Sequence, residues 1–211
     1  MSYPDPTQLT LYGDVLSGNC LKTRWVADAL GIDYDWVDVN VVKGEAQSDA
    51  FLAVSPAGKV PVARWPDGRV LTESNSIMLY FAENTSGGNK FIPTDAFARA
   101  QMMSWMFWEQ YSHETAIAVR RYHKHLLGKK DADIDPGLLL KGKRALHIMQ
   151  KHLARRDWFV GDSVSLADIA LVAYTRWSHE AGFKLSDYPA VARWVIRVEN
   201  ELNIPHAQEA T

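Results

Sequence analysis

Val60-Pro61 and Glu73-Ser74 are the residues whose types and spacing point most directly to chemistry. Proline lacks a ladder donor and fixes φ, so at the start of a strand it usually serves a purpose. A cis Val60-Pro61 bond would turn the N–H and C=O of Val60 outward, where an extended, peptide-like ligand can pair with them. Glu73-Ser74 opens a helix, whose first N–H groups cradle an anion while the Glu73 carboxylate awaits a cation. That combination suits the zwitterionic head of an amino acid. Ile77, and not Glu or Gln, stands three positions after Ser74, so a full capping box does not account for the pair. Together these residues describe a site for a small peptide.

Other catalytic signatures are missing. The chain has no GxGxxG, Walker loop or GxSxG. Ser112-His113-Glu114 cannot be a triad, because neighbouring helix side chains diverge by about 100°. His113-Glu114 is not a metal motif either, since Ile117 occupies the place of the second histidine in HExxH. No metal is expected. Arg120 to His125 is basic and reads as a solvated helix face.

The elements that must position these residues fall into two unlike halves. Leu9–Tyr12 reads as a strand, Cys20–Leu30 as a helix closed by Gly31, and Tyr34–Val39 as a second strand. A short helix is expected over 44–54. Val60–Trp65, the Pro66-Asp67-Gly68-Arg69 turn and Val70–Thr72 form a hairpin, and Ser74–Glu83 a helix. Thr85 to Pro93 is rich in turn residues and marks the domain boundary: 1–84, a linker over 85–95, then 96–211. Beyond it the spacing predicts only helices, over 95–126, 137–155, 165–181 and 189–203. Ser165-Leu166-Ala167-Asp168 is a capping pattern with the acid at the third helical position, a folding signal.

Composition sets the cellular context. The 211 residues are 47% hydrophobic, enough for a real core, and the net charge of −2 gives no reason to expect nucleic acid or an anionic membrane as partner. Cys20 is the single cysteine, which rules out an internal disulfide and fits a reducing compartment. The start MSYPDPTQ lacks the basic and apolar regions of a signal peptide, and no apolar run is long enough to span a bilayer. A cytoplasmic protein is expected.

The order βαβ–α–ββα, the strand-leading Val60-Pro61, the Glu73-Ser74 helix start and the helical second half resemble the glutathione transferase family. Gly161-Asp162 ahead of Ser165–Asp168 is also similar to that family's C-terminal folding motif. The resemblance covers nearly the whole chain. It implies an α/β thioredoxin-like N-terminal domain, an all-α C-terminal helical bundle and a homodimer. Carried over residue by residue, it gives Val60 beside Pro61 to the cysteinyl part of glutathione, and Glu73 and Ser74 to the γ-glutamyl ammonium and carboxylate. Lys59 would meet the glycyl carboxylate, with Lys43 a further candidate.

The same resemblance places the loop Asp14 to Cys20 against the sulfur of glutathione. A thiol with a pKa of about 8.5 is only a few per cent thiolate at pH 7. One hydrogen bond to a charged group contributes roughly 1.5–3 kcal/mol, or about one to two pKa units, so one donor and the helix dipole suffice. Three side chains could supply the contact. Ser17 matches the serine of theta-, phi- and zeta-like classes, Cys20 resembles the cysteine of beta- and omega-like classes, and Asn19 could donate through its amide. Serine only hydrogen-bonds the sulfur of glutathione, whereas cysteine can form a mixed disulfide with glutathione, by exchange with a glutathione disulfide.

The expected activity is transfer of glutathione to small hydrophobic electrophiles, with Trp108, Tyr111 and His113 lining the electrophile pocket. Two alternatives stay open: a glutathione-dependent disulfide or peroxide reductase using Cys20, and a non-catalytic binding module on the same fold.

Overall fold

β1 (Thr10–Gly13), buried along its whole length, lies inside a four-stranded sheet in the computed structural model, which describes residues 3 and 5–207. β2 (Asp35–Asp38) pairs parallel to it, with Leu11 opposite Trp36. β3 (Val62–Arg64) runs antiparallel on the other side, Leu11 facing Ala63, and β4 (Val70–Thr72) closes the hairpin. The order β2-β1-β3-β4 is the sheet of a thioredoxin-like unit. All four residues of β1 are buried, Thr10 included, so burial does not alternate along the strand as it would with one face in water. On one face Tyr12, Val39, Ala46, Phe51 and Val62 form a core cluster.

α1 (Gly18–Ala29) joins β1 to β2, and α3 (Ser74–Asn84) follows β4; the two helices pack on one another. The segment expected to be a short helix over 44–54 comprises a 3-10 turn, Glu45–Gln47, and α2 (Asp49–Leu52). Ser48 separates them, its hydroxyl oxygen accepting from Phe51 N as an N-cap. This first unit ends at Gly88, and the second begins at Asn89.

The second unit is helical among the described residues. The helix expected over 95–126 is continuous but not uniform. It comprises α4 (Ala96–Trp108), a π-helical stretch Glu109–His113, α5 (Glu114–Arg121) and a second π stretch Tyr122–Leu126. α6 (Pro136–Leu153), α7 (Leu166–Thr175) and α8 (Pro189–Glu201) follow, with proline at the first position of α6 and α8, where no intrahelical donor is lost. α7 ends earlier than the apolar period suggests, because turn bonds take over: Ser178 N donates to Thr175 O and Ala181 N to Ser178 O.

Buried α7 is held at its start by Asp168. Its Oδ1 accepts from Phe159 N (3.0 Å) and Trp194 Nε1 (2.9 Å), and its Oδ2 from Ser165 N (3.0 Å) and Ser165 Oγ (2.8 Å). Burial pushes this carboxyl above its ordinary pKa, while the four donors oppose the shift. Among the described residues no helix is long and apolar enough to cross a membrane.

Candidate active site

The loop between β1 and α1 is shaped by Asp14. Its backbone oxygen accepts from Ser17 N (2.9 Å), and its Oδ1 accepts from Leu16 N (2.9 Å), a local turn closed by its own side chain. Its Oδ2 accepts from Val41 N (3.0 Å), tying the loop to the segment after β2. Ser17 is thereby held at the N-cap of α1, with an extended backbone (φ −97°, ψ 118°) and a half-buried side chain. Cys20 lies one turn along, fully buried. Burial pushes its thiol up to about 12; the neighbouring Ser17 side chain and Asp14 backbone act in the opposite direction and do not offset it.

The Val60-Pro61 bond is cis, with Pro61 buried and Val60 half-buried. The turn leading to it is fastened from two sides. Gln47 Nε2 donates to Gly58 O (2.9 Å), and Ser55 Oγ donates to Lys59 O (3.3 Å). Gly58 has φ +59°, and a Cβ there would stand 2.5 Å from Gln47 Nε2, so this position requires glycine. The Lys59 side chain is exposed, as is that of Lys43, whose N–H donates to Asn40 Oδ1 (2.8 Å).

Glu73 caps α3 in an unusual backbone state, φ +66° and ψ 110°. A non-glycine residue there costs about 1–3 kcal/mol, and such strain is concentrated at functional sites. Its side chain is exposed and that of Ser74 is buried. Ser74 Oγ donates to Asn19 Oδ1 (3.2 Å), and Lys22 Nζ to Asn75 Oδ1 (3.1 Å). The N-terminal turns of α1 and α3 are therefore joined side by side, and both present the positive ends of their dipoles. Lys22 is fully buried between them.

Lys22 and Asn75 have no place in the sequence reading, and Asp14 enters it only as the first residue of the loop. Lys22 carries a readable signal, since it shares the helical period of Trp25 and Val26 and so falls on the buried face of α1.

In the second unit His113 is fully buried, its Nε2 2.8 Å from Thr175 Oγ1, which itself donates to Leu171 O (2.7 Å). Trp108 and Tyr111 share a surface cavity of about 420 Å3 with Lys141 and Arg144. Among the described residues no group of His, Cys, Asp and Glu side chains could hold a metal ion.

A mixed four-stranded sheet with a cis proline entering β3, two joined helix N-termini and a following helical unit define a two-unit protein with a thioredoxin-like half. The glutathione S-transferase N-terminal domain matches residues 16–84, and the glutathione S-transferase C-terminal domain matches residues 107–201. Mouse (Mus musculus) glutathione S-transferase theta-1 is 32% identical over 203 residues, covering 90% of this chain and 82% of the mouse protein. The disulfide-bond oxidoreductase YfcG of Escherichia coli strain K12 is 27% identical over 176 residues, covering 80% of each. The crystal structure of a glutathione S-transferase from Pseudomonas fluorescens Pf-5 superposes with a TM-score of 0.85 at 40% identity, covering 92% of this chain and 95% of that one. The chain belongs to the glutathione S-transferase family, enzymes whose cosubstrate is glutathione.

Proposed function

We propose that the protein conjugates the thiolate of glutathione to small hydrophobic electrophiles, with Ser17 as the group that holds the thiolate. The Ser74–Asn19 hydrogen bond carries this reading. It sets the Ser17 N-cap beside the Glu73-Ser74 N-cap, so two anionic groups of one short peptide can each meet a helix N-terminus. The sulfur goes to Ser17 and the γ-glutamyl carboxylate to Ser74, while Glu73 takes the ammonium. The backbone of Val60, before cis Pro61, pairs with the cysteinyl residue, and Lys59 meets the glycyl carboxylate, with Lys43 nearby in the same role. Ser17 donates a hydrogen bond to the thiolate, lowering its pKa so that the anion is abundant at neutral pH. Attack on the electrophile then needs no general base.

On the electrophile side we assign Trp108 and Tyr111. His113 has no such role, because its ring is enclosed and engaged with Thr175. In keeping with the family we take the working form to be a homodimer, and the single cysteine fits a cytoplasmic protein.

A second reading, a disulfide reductase using Cys20, is supported by the similarity to the Escherichia coli oxidoreductase. The burial of Cys20 weighs against it. The decisive first experiment is retention on immobilised glutathione with release by free glutathione, followed by an aryl-halide conjugation assay. Retention and turnover are expected. A protein that binds glutathione but reduces a mixed disulfide and conjugates nothing would favour the second reading, and one that does not bind it would be a non-catalytic module.

A further inference from the structure

A separate cavity of the helical unit, about 370 Å3 in volume, lies where the turn after α6 meets α8. Arginine dominates its lining. Arg155 and Arg156 come from that turn, and Arg193 from the second turn of α8. Asp157 and Asp162 are the acidic residues beside them.

These charges do not cancel one another. Asp157 is taken by Arg197, which does not line the cavity: Arg197 Nη2 stands 2.7 Å from Asp157 Oδ1, and its Nη1 donates to Asp157 O (2.9 Å). Arg156 closes the end of α6, its N–H donating to Leu153 O (3.5 Å) and its Nη1 to His152 O (3.4 Å). A cation at a helix C-terminus is favoured, so Arg156 has a structural use. Arg155 and Arg193 are different. Among the described residues neither side chain is held in a hydrogen bond or ion pair, and Asp162 pairs with neither. Arg193 also stands near the N-terminal end of α8, where the helix dipole gives a cation no support.

We propose that this cavity binds the diphosphate group of a small molecule, with Arg155 from the α6 end and Arg193 from α8 each meeting one phosphate. Each guanidinium offers a planar fork of donors that matches two phosphate oxygens. The two arginines belong to different elements, so helical spacing does not account for their convergence, and an anion bridging them relieves the repulsion between them. A single exposed ion pair contributes little in water, so a ligand that engages both cations is favoured over one that reaches only one. The cavity lies wholly in the second unit, and the proposal does not rest on glutathione transfer. A protein that bound no glutathione would lose the proposed function and keep this site.

The test is isothermal titration of the full chain with inorganic pyrophosphate and, separately, with orthophosphate at matched ionic strength. One saturable pyrophosphate site is expected, with orthophosphate bound about tenfold or more weakly. The double variant Arg155→Gln/Arg193→Gln should likewise bind pyrophosphate about tenfold or more weakly than wild type. Lys141→Gln, which removes a cation of α6 outside the cavity, should change binding by less than about twofold. Circular dichroism confirms that each variant is folded. Displacement of pyrophosphate by ADP would assign the site to a diphosphate ester, and failure of ADP to displace it would assign the site to the free anion. Absence of saturable pyrophosphate binding, equal affinity for the two anions, or unchanged affinity in the double variant overturns the proposal.

Discussion

Ser74 donates a hydrogen bond to Asn19 Oδ1 at 3.2 Å, joining the first turn of α3 to that of α1. One turn deeper, Lys22 Nζ repeats the link to Asn75 Oδ1 at 3.1 Å. The spacing of the two helix N-termini is thus fixed by side chains, independently of any ligand. Asn19 is accordingly a residue that positions Ser74, besides being a neighbour of Ser17.

Asn19→Ala removes that link without touching Ser17. A neutral hydrogen bond contributes about 1 kcal/mol, equivalent to about fivefold in affinity. The KM for glutathione should therefore rise about three- to tenfold, with the pH dependence of kcat unchanged. A shift of the pH profile instead would make Asn19 the thiolate's own donor.

Ser17→Ala deletes the proposed donor to the thiolate and should raise the pKa of bound glutathione by about one to two units. Raising the pKa of an acid favours its neutral form, so the activity limb moves to higher pH. At pH 6.5 conjugation should fall about ten- to a hundredfold and recover as the pH approaches 9. Equal pH–rate profiles for wild type and variant would defeat the assignment.

Cys20 gives a prediction of opposite character. Burial holds its thiol near 12, far above neutral pH, so it stays protonated and enclosed. Treatment of the folded protein with oxidised glutathione at pH 8 should leave its mass unchanged, and iodoacetamide should label Cys20 only after denaturation. Cys20→Ala should retain most of the conjugating activity. A one-glutathione mass increase on the native protein would restore the reductase reading.

The sequence made the architecture legible where one residue type has one structural use. Proline before a strand marked the cis turn, and the helical periods located the α-helices beyond residue 95 to within a few residues, except for the early end of α7, while the 3-10 turns Asp131–Asp133 and Leu185–Asp187 went unread. What stayed hidden depends on partners distant in sequence or on backbone geometry. The π-helical stretch at Glu109–His113 has no side-chain signature, because its apolar spacing also suits an α-helix. The Lys22–Asn75 link joins polar residues far apart in the chain, each ordinary in its own helix. Glu73's positive φ is equally silent, since glutamate is not a residue that announces a left-handed turn.

That strained position yields its own test. Glu73→Gly relieves a conformation costing about 1–3 kcal/mol, against about 0.5–1 kcal/mol for glycine's extra freedom in the unfolded chain. The variant should be as stable as wild type or about 1 kcal/mol more so in urea denaturation. Its retention on immobilised glutathione should nonetheless fall, because the carboxylate for the γ-glutamyl ammonium is gone. Lower stability with full retention would show that Glu73 serves the fold and not the ligand.

Asp168 lies in the helical unit and tests folding separately from catalysis. Its two oxygens accept from Phe159 N, Trp194 Nε1, Ser165 N and Ser165 Oγ, all in a buried setting. Asp168→Ala leaves these donors facing an apolar methyl group, and each unsatisfied buried donor costs about 1–3 kcal/mol. Some donors find other partners after relaxation, so a loss of at least about 3 kcal/mol is expected for the set. Asp168→Asn should be milder, because one amide oxygen can still accept from two of the donors while its NH2 opposes the others. Urea midpoints should thus rank wild type above Asn above Ala. Protein that remains folded should bind glutathione as before, since the residues assigned to that ligand all lie in the first unit. A variant that keeps its stability and loses only turnover would instead make Asp168 part of the chemistry.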